Sequence, residues 1–163
     1  MQAPYDEEPM IDNNTLAIAS MKKRISAFVI DDIVISLFFM IIFYDQIMDL
    51  LSSPEAAEQL TQVSMEMMNT FIAENIMIVL AIKVIYHTVL VWQNGMTIGK
   101  YVVKIQVISL NTGFRPSFQQ AFLRASVRLL SESVFYLGFI MAFFMPMRQT
   151  LHDKLSNCVV IDA

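Results

Sequence analysis

The stretch that decides the fold is Met21–Tyr44, MKKRISAFVIDDIVISLFFMIIFY, in which a basic cluster runs into a long apolar segment carrying two adjacent aspartates. From Ile25 to Tyr44 the segment supplies about 20 residues, enough at 1.5 Å of rise each to cross a hydrocarbon layer of roughly 30 Å. It reads as a transmembrane helix. Asp31 and Asp32 lie about two turns inside it, where an ionisable group is costly enough that a paired or functional role is the default expectation.

The composition supports a membrane address. Of 163 residues, 56% are hydrophobic and 16% charged, against about 45–50% and about 25% in soluble domains. A soluble helical bundle would break its apolar runs with charges every few residues, and these runs are not so broken. The thirteen methionines suit gap-filling between helices and lipid better than a soft-metal site. A single cysteine, Cys158, excludes an internal disulfide and a multi-cysteine metal centre.

Residues 1–13, MQAPYDEEPMIDN, are acidic, contain prolines and lack periodicity, so they read as a mobile tail. Their start is not positive and no small-residue cleavage site follows the first apolar run, so no secretory signal is expected. Asn14 could cap a short surface helix, TLAIASMKK. The first span is expected over residues 25–46. Residues 45–70 contain Asp45, Asp49, Glu55, Glu58 and Glu66 but no Lys or Arg, so the Lys22–Arg24 end is expected on the cytoplasmic side and this loop outside. Ser53-Pro54-Glu55 has the form of a helix start, leading into a second span over residues 71–92 that ends at the interfacial Trp92.

That second span contains Lys83 and His87, four residues apart and so on one face. Counted from the cytoplasmic ends, Asp31 and Asp32 lie about 9–11 Å deep, His87 about 8 Å and Lys83 about 14 Å. Antiparallel packing would bring all four into one buried charge cluster. Such a cluster is either a proton or cation site, in which carboxylates alternate their occupancy, or a compensated helix contact that fixes packing.

Residues 93–116 change to alternating β-branched residues with turn signals at Asn111-Thr112-Gly113, and Lys100, Lys104 and Arg115 assign them to the cytoplasm. Ser117 caps a helix in which Arg124, Arg128 and Glu132 recur every four residues, a stripe suited to packing or to anionic headgroups. The third membrane segment, residues 118–147, is either a single crossing or a bent, re-entrant hairpin turning near Leu137-Gly138. If Asn157–Ile161 pairs as a strand with the 102–108 region, the segment must enter and return. Overall the chain reads as an all-α integral membrane protein of about three spans with a small cytoplasmic β element, residues 14–163 forming one domain.

Gly95–Lys100, GMTIGK, is one residue short of a phosphate loop and has Tyr101 where a metal-binding hydroxyl belongs, so nucleotide binding is rejected. His152-Asp153 lacks the further ligands that zinc requires. No nucleophile elbow and no basic aromatic surface is present, so neither an enzyme nor nucleic-acid binding is expected, and no cofactor or metal.

Arg24-x-x-Ala27-x-x-x-Asp31, Gly95-Met96-Thr97-x-Gly99-Lys100, Gly113, Arg124 and Leu151-His152-Asp153-x-Leu155, in that order, resemble the RDD family of small membrane proteins, named for one arginine and two aspartates. The likeness spans about Arg24 to Val160. Arg24, Asp31 and Asp153 match the naming triad; Asp32, Lys83 and His87 are not motif residues. The resemblance implies a membrane domain of a bacterial inner membrane, with either transport, as in a sodium/proton antiporter, or membership of a membrane protein-quality-control assembly. Two functions therefore stand: a small-cation or proton-coupled transporter, and a non-catalytic scaffold or assembly factor, each with the lipid bilayer around it and either a second copy or a membrane protein as partner. Arg24 is expected either to pair with Asp153 or to snorkel to the interface.

Overall fold

The structure, a computed structural model, describes residues 16–52, 63–133, 141–145 and 147–163. The expected tail at 1–13, the Asn14 cap, the Ser53-Pro54-Glu55 helix start and the Leu137-Gly138 bend lie outside the described residues.

Helix α1, Met21–Ile42, starts at Ser20, whose extended backbone and Oγ, accepting from Lys23 N at 3.4 Å, form its cap. Its buried residues, Ala27, Asp31 and Ile35, recur every fourth position, so one narrow stripe touches protein. Ile25, Ile33, Leu37 and Ile41 are exposed. The helix continues almost directly into α2, Tyr44–Ser52. Helix α3, Val63–Asn94, has 32 residues, or about 48 Å. Met21–Ile42 and Asn69–Asn94 are both long and apolar enough to span a bilayer, and only 17% and 22% of their most apolar windows are buried. A soluble protein's core helix would be mostly covered; these present apolar surface almost all round, as lipid-facing helices do. Both helices are therefore candidate membrane spans.

At the Asn94 end, Gly95 (φ +72°) stops α3 and directs the chain into α4, Ile98–Val102, and strand β1, Ile105–Ser109. A turn leads to α5, Phe118–Ser133, which packs along α3. After a single 3-10 turn at Met141–Phe143 come α6, Leu151–Leu155, and strand β2, Cys158–Asp162. The strands pair antiparallel, Ile105 opposite Asp162 and Ser109 opposite Cys158. Ile105, Val107, Cys158 and Val160 form a small core with Ala19 and Ala121.

Several boundaries differ from expectation. Residues 16–20 of the lead-in segment are not helical: Ile18 bridges Ile161, while Ala19 N donates to Val160 O and Asp162 N to Ala17 O, extending the sheet. Unpaired edge hydrogen bonds on β2 outweigh the weak helical preference of a segment this short. The first span ends at Ile42 rather than 46, and the second extends to residues 69–94. Of the third expected segment, 118–147, the described part is the amphipathic α5 and the 3-10 turn; no third helix among the described residues passes as a span. Since β1 and β2 pair, residues 110–157 begin and end at the same end of the molecule.

Helix α4 meets α1 closely because position 99 is glycine. A Cβ there would lie 2.2 Å from the Ala27 carbonyl oxygen and 2.9 Å from the Asp31 carboxylate. Gly99→Ala is expected to destabilise the detergent-solubilised protein by about 1–3 kcal/mol, the usual range for overpacking. Thermal unfolding in micelles reads this directly.

Candidate functional site

Consecutive helix residues point about 100° apart, and this separates the two aspartates. Asp31 is fully buried and faces α4. Its Oδ1 accepts from Tyr86 Oη and from Gly99 N, both at 2.8 Å, and its Oδ2 accepts from Thr97 Oγ1 at 2.6 Å. Thr97 occupies the cap position of α4 but makes no side-chain cap bond there, so Asp31 supplies an acceptor to the first turn from another helix. Tyr86 Oη in turn accepts from Ile98 N at 3.3 Å.

Asp32 faces the other way, its side chain 50% exposed, with Lys83 Nζ at 3.4 Å. Lys83 lies nearer to Glu132, at 3.0 Å, and Glu132 also pairs with Arg128 at 3.0 Å. His87 presents Nδ1 to Arg128 Nη1 at 3.4 Å. The four residues expected to cluster, Asp31, Asp32, Lys83 and His87, are thus not one cluster. Asp32 and Lys83 meet, while Asp31 and His87 each turn to other elements. Depth along the helices brought Asp32 and Lys83 together; rotation about the helix axis, which depth ignores, removed Asp31.

The densest charge lies between the first turn of α1 and helices α5 and α6. Asp153, fully buried, has Arg24 Nη1 at 3.1 Å and Arg124 Nη2 at 2.5 Å. Arg24 also donates to the carbonyls of Val160 at 3.0 Å and Ala19 at 3.3 Å, so it joins α1, α6 and the sheet. Thr150 and Asp153 complete a capping box that fixes the carboxylate at the start of α6. Burial acts to raise the Asp153 carboxyl, but the two guanidiniums, Arg124 before Arg24, outweigh it and hold the group well below the usual carboxylate range. Burial holds His152, its neighbour, well below the usual imidazole range, so its ring is neutral.

Lys100 is buried behind this triad. Its Nζ donates to Thr97 Oγ1 at 3.3 Å and, among the described residues, enters no ion pair. Burial, then Arg124 and Arg128, push the ammonium down to about 7 against the opposing pull of Asp31 and Asp153. Arg128 also lies over the Phe28 ring, 5.0 Å from its centre. The motif residues thus have separate tasks: Gly95 turns the chain, Gly99 admits α1, Asp31 caps α4, and Arg24, Arg124 and Asp153 form the triad. Sequence reasoning missed Tyr86, whose hydroxyl carries no pattern, and it placed Thr97 in the motif and Glu132 in the stripe without finding that they meet Asp31 and Lys83.

A family model described as the RDD family matches residues 18–157. No curated protein and no solved structure matches the chain.

Removing one member of a buried ion group leaves the others uncompensated, at a cost of about 3–5 kcal/mol. Asp153→Asn, which strands two guanidiniums, is therefore expected to destabilise more than Arg24→Gln. Because Asp153 is depressed in the folded state, its contribution is full above the ordinary carboxylate value and is lost as pH falls through the lower folded one. Unfolding of the wild type in detergent should become easier below about pH 4, and Asp153→Asn should lose less stability over that range.

Proposed function

The chain belongs to the RDD family, and from that premise we propose that it is a non-catalytic membrane scaffold. Two spans hold a small cytoplasmic β platform, and the buried charges serve as joints. The observation that carries this reading is Asp31: three of its roughly four acceptor positions are taken by Tyr86, Thr97 and Gly99, and it is 0% exposed, which favours a fixed structural joint over an exchangeable cation site. On the platform Tyr101 and Phe114 are 72% and 76% exposed, apolar surface suited to a membrane-protein partner or a second copy.

The topology that goes with this reading has the Lys22–Arg24 end and the platform in the cytoplasm of a bacterial inner membrane, with Asp45, Asp49 and Glu66 outside. Residues 118–147 then enter and return. In a Cys158→Ser background, Phe114→Cys and Leu155→Cys should be labelled by an impermeant thiol reagent from one face of the membrane, and Gln46→Cys from the other. Labelling of Phe114→Cys and Leu155→Cys from opposite faces would overturn the hairpin.

Cation- or proton-coupled transport is the second reading, and the half-exposed Asp32 beside Lys83 favours it, since this carboxylate keeps access to its surroundings. Liposomes containing the purified protein separate the two. The scaffold reading expects no sodium- or potassium-driven proton movement above that of protein-free liposomes. Flux that disappears in Asp32→Asn would establish transport instead.

A further inference from the structure

A cavity of about 270 Å³ opens beside the ion triad, between the first turns of α1 and helices α5 and α6. Arg24, Lys100, Arg124 and Arg128 line it, and among the described lining residues the one carboxylate is Asp153. Asp153 is already shared by two guanidiniums, and Arg128 is paired with Glu132. Arg124 is 6% exposed, and its Nη1 is buried without a hydrogen-bond partner among the described residues. A buried guanidinium nitrogen left unsatisfied costs about 1–3 kcal/mol or more, so the site lacks an acceptor that its chemistry calls for. Lys100, whose one hydrogen bond among the described residues is to a threonine hydroxyl, is the second donor without an anionic partner there.

Apart from Thr150 and His152, the rest of the described lining is apolar. Ile25 and Phe143, 53% and 66% exposed, stand at the cavity with Phe28 beside them, at the start of a membrane span. A cationic floor under an apolar rim at interface depth is matched by a ligand that joins an oxyanion to hydrocarbon. The volume equals about nine waters at ~30 Å³ each, room for a phosphate diester and the start of its glycerol.

We propose that this cavity is a binding site for an anionic phospholipid, its phosphate held by Arg124 and Lys100 with Arg24 and Arg128 flanking, and its acyl chain lying along Ile25, Phe28 and Phe143. The site goes beyond the scaffold reading and does not depend on it. Lys100 is faced by Asp31 from α1, His87 from α3, Arg124 and Arg128 from α5, and His152 and Asp153 from α6. With its ammonium pushed down to about 7, lipid should bind more tightly as pH falls from 8 to 6, because the charged form is the one the phosphate selects.

Native mass spectrometry of the full chain, with phosphatidylglycerol titrated against phosphatidylcholine in mixed micelles, tests this. One phosphatidylglycerol per chain is expected, retained at least tenfold better than phosphatidylcholine, and more so at pH 6 than at pH 8. Lys100→Gln removes a buried ammonium with one bond and should fold, as its thermal unfolding will report, yet lose tenfold or more in retention. Arg124→Gln strands Asp153 and serves as a second variant only where it unfolds cooperatively. Equal retention of the two lipids, or a folded Lys100→Gln that binds as the wild type does, would overturn the proposal. Inorganic phosphate that displaces phosphatidylglycerol at equal concentration would also overturn it, assigning the site to a soluble anion.

Discussion

The arrangement depends on one buried carboxylate. Asp153 sits between Arg24, in the first turn of α1, and Arg124, midway along α5. Neither guanidinium could be desolvated without it, and without them the short helix α6 would have little to hold it to the spans. Five residues cannot form a stable helix alone; α6 persists because its capping box and its ion pairs fix both its backbone and its place. From that anchor β2 follows, and its pairing with β1 closes the platform over the helix ends.

Asp31 performs the complementary task with neutral partners. Its charge is distributed over two hydroxyls and one amide, and this ties α1 to α3 through Tyr86 and to α4 through Thr97 and Gly99. Charge-assisted hydrogen bonds are strong in a low-dielectric setting, and they impose geometry that an unpaired acid in lipid would not. The two aspartates of the motif thus brace the molecule at different places: one joins helices by accepting hydrogen bonds, the other by neutralising guanidiniums.

Much of this was legible in the sequence. The 20-residue apolar run after Lys22-Lys23-Arg24 identifies α1, and β-branched alternation before and after the third segment identifies both strands. The spacing of Arg124, Arg128 and Glu132 gave one face of α5. Helix rotation was not legible. Depth counting treats Asp31 and Asp32 alike, whereas a single step along the helix sends one inward to Tyr86 and the other outward to Lys83. The role of residues 17–19 was also hidden, because a β bridge of one residue depends on a strand more than 140 positions away. Hydroxyl donors such as Thr97 leave no periodic trace, and only the close approach at Gly99 explains why its neighbour can reach the carboxylate.

The order of the chain gives the triad a history. Arg24 precedes both apolar helices, while Asp153 follows them. As the chain is made, then, the guanidinium at the head of α1 emerges well before its partner carboxylate. Only after the later segments arrive is that charge absorbed into the interior. A single arginine near the start of the chain thus waits for a carboxylate near its end, and the joint can close only when nearly the whole sequence is in place.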